Sequence, residues 1–190
     1  MPSDSTVAIL LAAGGGTRFG GGTHKLLADL GGRSVVRHAL DEVIAAAIGQ
    51  VVVVTGAVAL DLPDGVIEAH HPGWALGQAG SLHCGLAVAA ELGATAAVVG
   101  LGDQPGVTSE AWRRVATAPP AWRIVVASYD GRRGPNPVRL HRSLWAQVPA
   151  TGDEGARTLM RQQPALVHEV ACPGSALDID TLEDLQRWTS

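Results

Sequence analysis

The chain has 190 residues, 46% of them hydrophobic and 17% charged, which fits one globular domain with a single sizeable core and argues against a disordered chain. A net charge of −4 excludes general attraction to nucleic acid or to an acidic membrane surface, so an anionic ligand must be held by local basic groups and backbone N–H groups. The two cysteines, Cys84 and Cys172, lie far apart and make neither a CxxC pattern nor a disulfide framework.

The N-terminus shows no basic stretch followed by an apolar segment and cleavage site. The first apolar run, 7–13, is too short to span a bilayer. A soluble, cytoplasmic protein is expected, with residues 1–6 a flexible tail ahead of one domain covering 1–190. Residues 7–13 read as a buried strand, because the run is short, continuous and followed at once by glycines. From Val35 the spacing becomes helical, with Val36, Ala39, Leu40, Val43, Ile44 and Ala47 on one face and Gly49 as a stop. A second buried strand follows at 51–54 and a short one at 66–69. A helix then carries Leu82, Leu86 and Ala89. The pattern continues with a strand at 95–101, a helix at 109–117 and a strand at 123–128. Beyond Asp130 it is less regular: a short segment at 137–140, helices near Leu144 and Ala156, and a closing helix from Thr181. Strands alternating with helices predict an α/β fold, a Rossmann-like three-layer arrangement with a mostly parallel central sheet covered by helices.

The strongest local signal follows the first strand: Gly14, Gly15 and Gly16, then Arg18, Gly20 and Lys25. Glycines placed there let backbone N–H groups approach a phosphate without interference from Cβ. Arg18 can fork onto phosphate oxygens, and Lys25 can supply a mobile point charge. The Walker A and dinucleotide-fold spacings are not met. At the end of the strand 95–101 stands Gly102-Asp103-Gln104-Pro105. Ligands of open α/β sheets gather at the carboxyl ends of strands, which makes Asp103 a candidate to hold Mg²⁺ between phosphate oxygens. Gly77–Leu82 opens a helix, where N–H groups and the Ser81 hydroxyl can face a base or ribose. For Asp180 one reading of the residues alone is a helix N-cap with Glu183 completing a capping box.

These segments resemble the nucleotidyltransferases with a molybdopterin-guanine-dinucleotide-synthase-like fold, whose loop reads Leu-Ala-Ala-Gly-x-x-x-Arg-Met/Phe-Gly and then Lys. The resemblance runs from Val7 to Leu185. It implies that Gly14, Gly15, Gly16 and Arg18 hold the NTP phosphates, with Lys25 near the transferred group. Leu11, Ala12 and Ala13 would then meet the base and ribose through their backbone. It implies nucleotide contact for Gly80 and Ser81, and gives the Asp178-Ile179-Asp180-Thr181 segment the second metal contact, with Asp180 preferred to Asp178. Gln104, Pro105, Asn136 and Pro137 are expected on the acceptor side, although Asn136 stands where relatives more often have His. The Gly102–Pro105, Gly152–Arg157 and Asp178–Thr181 segments are most similar to the cytidylyltransferase branch. That branch implies transfer of CMP from CTP to molybdopterin, with Mg²⁺ as cofactor and a recipient molybdoenzyme as a further partner.

The reaction needs no strong base, since an acceptor phosphate is already ionised near neutral pH. Arg18, Lys25 and Asp103 are the expected catalytic set. Rival readings are guanylyl transfer from GTP to molybdopterin or another phosphorylated precursor, and a non-catalytic chaperone for the cofactor. A dinucleotide-binding oxidoreductase is disfavoured, because the strand 51–54 runs into Thr55-Gly56-Ala57 without the acidic residue that would hold a ribose.

Overall fold

The computed structural model describes residues 5–20 and 22–188. Of the expected flexible tail, residues 1–4 lie outside the described residues. Ser5 and Thr6 do not conform to it: the Ser5 hydroxyl donates to Gly93 O at 3.1 Å, and Thr6 begins the first strand.

The elements in chain order are β1 (Thr6–Ala12), β2 (Asp29–Leu30), β3 (Arg33–Ser34), α1 (Val35–Ala46), β4 (Val51–Thr55), β5 (Ile67–His70) and α2 (Gln78–Glu91). They continue with β6 (Ala96–Leu101), α3 (Ser109–Thr117), β7 (Ile124–Tyr129), β8 (Arg132–His141), α4 (Ala156–Gln162), β9 (Val167–Ala171) and α5 (Leu182–Trp188). Among the described residues one sheet of seven strands runs in the order β5-β4-β1-β6-β8-β7-β9, and β2 and β3 form a separate small ribbon. β5, β4, β1 and β6 are parallel, β8 is antiparallel to both its neighbours, and β9 returns parallel to β7. The fold is the mostly parallel α/β arrangement expected.

Side-chain alternation along β1 divides the interior into two cores. Val7, Ile9 and Leu11 point to one face, where Leu82, Leu86 and Ala89 of α2 cover them together with Trp145 and Leu159. Ala8, Leu10 and Ala12 point to the other, against Val36, Leu40 and Val43 of α1 and Trp112 and Val115 of α3. A strand buried on both faces has no polar positions to spare, which is why β1, β4 and β6 read as continuous apolar runs.

The structure departs from expectation beyond Asp130. The segment expected at 137–140 is the second half of a ten-residue strand. The helix near Leu144 is a 3₁₀ helix, Arg142–Gln147. β9 was not expected, because Val167-His168-Glu169-Val170-Ala171 is a half-exposed edge strand with no continuous apolar run. Trp122 stacks on His168 there with ring centroids 4.4 Å apart.

Arg139 of β8 is 5% exposed and donates to the carbonyls of Ala116, Ala118, Pro119 and Trp122. It thus bonds carbonyls at the C-terminal end of α3 (Ala116 and Ala118) and of the turn that follows, and complements the negative end of that helix. Replacing Arg139 with Met keeps the stem but removes the guanidinium from all four carbonyls, of which Pro119 O keeps the bond from Trp122 N–H. A loss on the order of 3 kcal/mol is expected, read in thermal unfolding as a Tm lower by about 6–12 °C.

Candidate active site

The parallel strands bring three carboxyl ends to one edge of the sheet. Ala12 of β1 sits opposite Thr55 of β4, and Leu11 opposite Leu101 of β6. Gly102 N–H donates to Leu11 O at 2.9 Å, so the chain leaving β6 is tied to the chain leaving β1. A cleft of about 540 Å³ opens at this edge. It is lined by Leu11, Ala12, Ala13, the Gly14–Arg18 loop, Lys25, Ser81, Asp103 and Asp180. Trp74, Ala75, Gln78, Asp153, Arg157 and Asp178 also line it.

The glycine loop is held open by local contacts. Gly16 has φ +59°, a left-handed conformation that glycine adopts without penalty. His24 clamps the loop from the far side: its Nδ1 accepts from Leu26 N–H at 3.3 Å, which leaves Nε2–H to donate to Gly14 O at 2.9 Å. His24 therefore folds back onto the loop, and the short 3₁₀ helix Lys25–Leu27 follows it.

A small satellite core positions the charges. Phe19, Ala28, Leu30, Val35 and Ile179 are buried together. Phe19 follows Arg18, Ala28 closes the turn that begins at Lys25, and Ile179 separates Asp178 from Asp180. Ile179 N–H also donates to Asp103 O at 2.9 Å. With Ile179 fully buried, both flanking carboxylates turn towards the cleft.

The result is a compact ionic cluster. Lys25 Nζ lies 2.5 Å from Asp103 Oδ2 and 2.8 Å from Asp180 Oδ1, and Arg18 reaches Asp180 Oδ2 at 3.0 Å. Burial opposes the charge on Lys25, but Asp103 and Asp180 outweigh it and hold the ammonium above the usual lysine pKa. Asp178 is pushed above the usual carboxylate range, first by burial and then by repulsion from Asp103, against the hydrogen bond from Gln104. Asp103 Oδ1 is buried with no hydrogen-bond partner.

The N-cap alternative for Asp180 fails, and Gln104, Pro105, Pro137 and Gly80 lie outside the cleft lining. Asp180 is not the cap of α5. Thr181 caps it, with its hydroxyl accepting from Asp184 N–H at 3.1 Å, while Asp184 Oδ2 accepts from Thr181 N–H at 2.9 Å. That reciprocal pair leaves the Asp180 carboxylate to the cleft. Gln104 is fully buried, donating to Ala176 O at 3.1 Å and to Asp178 Oδ1 at 2.6 Å. It has no surface for an acceptor and instead anchors the Asp178 segment. Pro105 and Pro137 do not line this cleft, and neither does Gly80, whose α-carbon faces His71 Nε2. Asn136 lines a small adjoining pocket with Pro135, Arg157 and Met160.

The lining residues with the weakest sequence signal are Trp74, Ala75 and Gln78. Trp74 belongs to a 3₁₀ turn, and its ring edge lies against Gly15. Gly77 was legible as a glycine: at φ +112°, a Cβ there would fall 2.5 Å from Gly152 O. Its bareness lets the 152–157 loop pack on the start of α2, where Ala79 N–H donates to Gly152 O at 2.9 Å. Arg157 is brought to the cleft by that packing.

A family model for the MobA-like NTP transferase domain matches residues 8–167. The chain belongs to this family. It is a nucleotidyltransferase. The crystal structure of Rv0371c from Mycobacterium tuberculosis H37Rv is similar at 31% identity, with a TM-score of 0.84, and the match covers 99% of this chain and 98% of that one. A manganese complex of Rv0371c is similar at 30% identity and a TM-score of 0.79, covering 97% of each chain. A nucleotidyl transferase from a Methanothermobacter species shares the fold, with a TM-score of 0.81 at 21% identity, covering 97% of this chain and 96% of that one. No curated protein matches the chain. Among the described residues no helix is long and apolar enough to cross a membrane.

Ile179→Ala tests the satellite core. It should cost about 2–5 kcal/mol in denaturant unfolding. Nucleotidyl transfer at a temperature where the variant stays folded should fall at least tenfold through kcat, because Asp178 and Asp180 lose their common anchor. A stability loss with unchanged kcat would separate the core from the site.

Proposed function

We propose that the enzyme transfers CMP from CTP to the phosphate of molybdopterin with release of pyrophosphate, using Mg²⁺. The observation that carries the reading is the convergence of the glycine loop, Arg18, Lys25, Asp103 and Asp180 on one cleft. Oxygen-rich carboxylate donors suit a hard divalent cation, and the buried orphan Asp103 Oδ1 is an oxygen awaiting a positive partner. Among the described residues no three His, Cys, Asp or Glu side chains form a ready metal cage. Asp103 and Asp180 therefore suit an ion that completes its coordination from substrate phosphates and water. Asp178 remains the less favoured second ligand, since Gln104 already occupies one of its oxygens. The metal, when bound, neutralises charge on the phosphates.

In this reading the backbone of Leu11, Ala12 and Ala13 and the first turn of α2 at Ser81 meet the base and ribose. The bare N–H groups of Gly14–Gly16 and the Arg18 guanidinium hold the triphosphate, and Lys25 stabilises charge on the transferred phosphoryl group. An oxygen of the acceptor phosphate attacks the α-phosphorus. A new P–O bond forms as the bond to the β-phosphate oxygen breaks, and pyrophosphate carries away the electron pair. No proton needs to be removed from the nucleophile.

The acceptor side is assigned to the groove that continues from the cleft. Arg157 lines the cleft, the small Asn136 pocket and an outer groove of about 620 Å³ with Arg133, Pro135, Met160 and Arg161. Arg133 is paired with Glu169, and Arg161 with Glu154. Arg157 forms no direct ion pair among the described residues, its charge reaching Glu154 only through space, so its guanidinium can meet an incoming phosphate. Pro135 and Asn136 of β8 border the same path. The choice of CTP over GTP rests on the similarity of the Gly102–Pro105, Gly152–Arg157 and Asp178–Thr181 segments to the cytidylyltransferase branch. A molybdoenzyme that receives the product is the implied partner.

The deciding assay is pyrophosphate release with Mg²⁺ and each of CTP, GTP, ATP and UTP, with and without molybdenum-loaded molybdopterin. Release should require CTP and the pterin and fall at least about a hundredfold in Asp103→Ala. GTP dependence would move the enzyme to the guanylyl branch. Arg157→Ala should raise KM for the acceptor about tenfold or more while leaving KM for the nucleotide within about twofold.

A further inference from the structure

The position between Asp103 and Asp180 is held by the chain's own cation. Lys25 Nζ touches one oxygen of each carboxylate, and its side chain is only 12% exposed. Arg18 is 77% exposed and bound at the outer oxygen of Asp180, so it is free to follow a ligand into solvent. Lys25 is not. An ammonium withdrawn from both carboxylates into a partly buried site needs another anion, and the other described carboxylates lining the cleft are Asp178, already bound by Gln104, and Asp153, on the 152–157 loop. Two cations drawing on the same pair of oxygens repel each other, so a divalent ion and this ammonium compete.

Building on the nucleotide-and-metal reading of the cleft given above, we infer that Lys25 is the resident counter-ion of the metal position. A divalent cation takes up Asp103 and Asp180 as Lys25 Nζ leaves them, and the triphosphate supplies the ammonium with its new partner. Metal and nucleotide are then coupled through one side chain. Each favours the other because the nucleotide accepts the cation that the metal displaces, and the coupling is equal in both directions. In the free enzyme Lys25 holds the carboxylates together and keeps free metal out. The role differs from simple phosphate binding, in which Lys25 would leave metal affinity without nucleotide unchanged. It also differs from a site on Asp103 Oδ1 alone, which a metal could fill with Lys25 in place.

The test is Mn²⁺ binding to the full chain, followed by electron paramagnetic resonance, for the wild type, Lys25→Met and Lys25→Arg. Without nucleotide, Lys25→Met should bind Mn²⁺ about tenfold more tightly than the wild type, and Lys25→Arg should resemble the wild type. CTP should tighten Mn²⁺ binding by the wild type and do so several-fold less for Lys25→Met. Thermal unfolding gives an independent reading: Lys25→Met should melt below the wild type without metal and gain more on adding Mn²⁺. Lys25→Gln, which keeps a hydrogen-bond donor, takes its place if Lys25→Met does not fold. Equal or weaker Mn²⁺ binding by the folded neutral variant overturns the inference. If no NTP alters Mn²⁺ binding by the wild type, the nucleotide reading of the cleft fails, while the nucleotide-free comparison still decides whether Lys25 competes with metal.

Discussion

One ammonium shared by two carboxylates organises the cleft. Lys25 is separated from Asp103 by 78 residues and from Asp180 by 155, so the contact closes the first loop of the sheet against both the middle and the end of the chain. Without a cation there, Asp103, Asp178 and Asp180 would face one another at partial burial, an arrangement that repulsion and desolvation both oppose. The same concentration of negative charge that makes the site useful for phosphate chemistry requires a cation in every state of the enzyme. Lys25 meets that requirement before ligands arrive.

That ionic contact is backed by apolar packing of modest size. The satellite core of Phe19, Ala28, Leu30, Val35 and Ile179 lies apart from the two cores that sandwich the sheet. Each of its members is next to, or one turn from, a charged or phosphate-facing residue, so hydrophobic burial sets the positions that electrostatics uses. Gln104 acts similarly from beneath, using its buried amide to fix the 176–178 backbone and carboxylate. A site made from three loops gains the rigidity of the sheet in this way. Its charged groups are held by fully buried neighbours instead of by one another alone.

The legibility of the fold tracks burial. β1, β4 and β6 are enclosed on both faces and show as largely apolar runs, and α1 and α3 present clear apolar stripes. β9 pairs on one side only and alternates with polar residues, and the 3₁₀ turns at 74–76 and 142–147 are too short for a period to register. The glycine loop was legible because three successive glycines directly after a buried strand mark a turn whose backbone carries no Cβ. Trp74 and Gln78 were not, because a single aromatic or amide has many structural uses and joins the cleft only through the folding of its loop.

The sequence by itself determined the α/β class, the positions of the buried strands along the chain, the glycine loop followed by Arg18 and Lys25, and the acidic residue at the end of β6. Each is a local pattern, set by periodicity or by chemistry within a few neighbouring residues. Tertiary structure alone decided that Lys25 bridges Asp103 and Asp180, that Thr181 and not Asp180 caps the last helix, that Gln104 is interior, and that Arg157 reaches the cleft over Gly77. These depend on which distant segments share a surface. Burial of Ile179, a single position, is enough to turn its two neighbouring carboxylates towards the site.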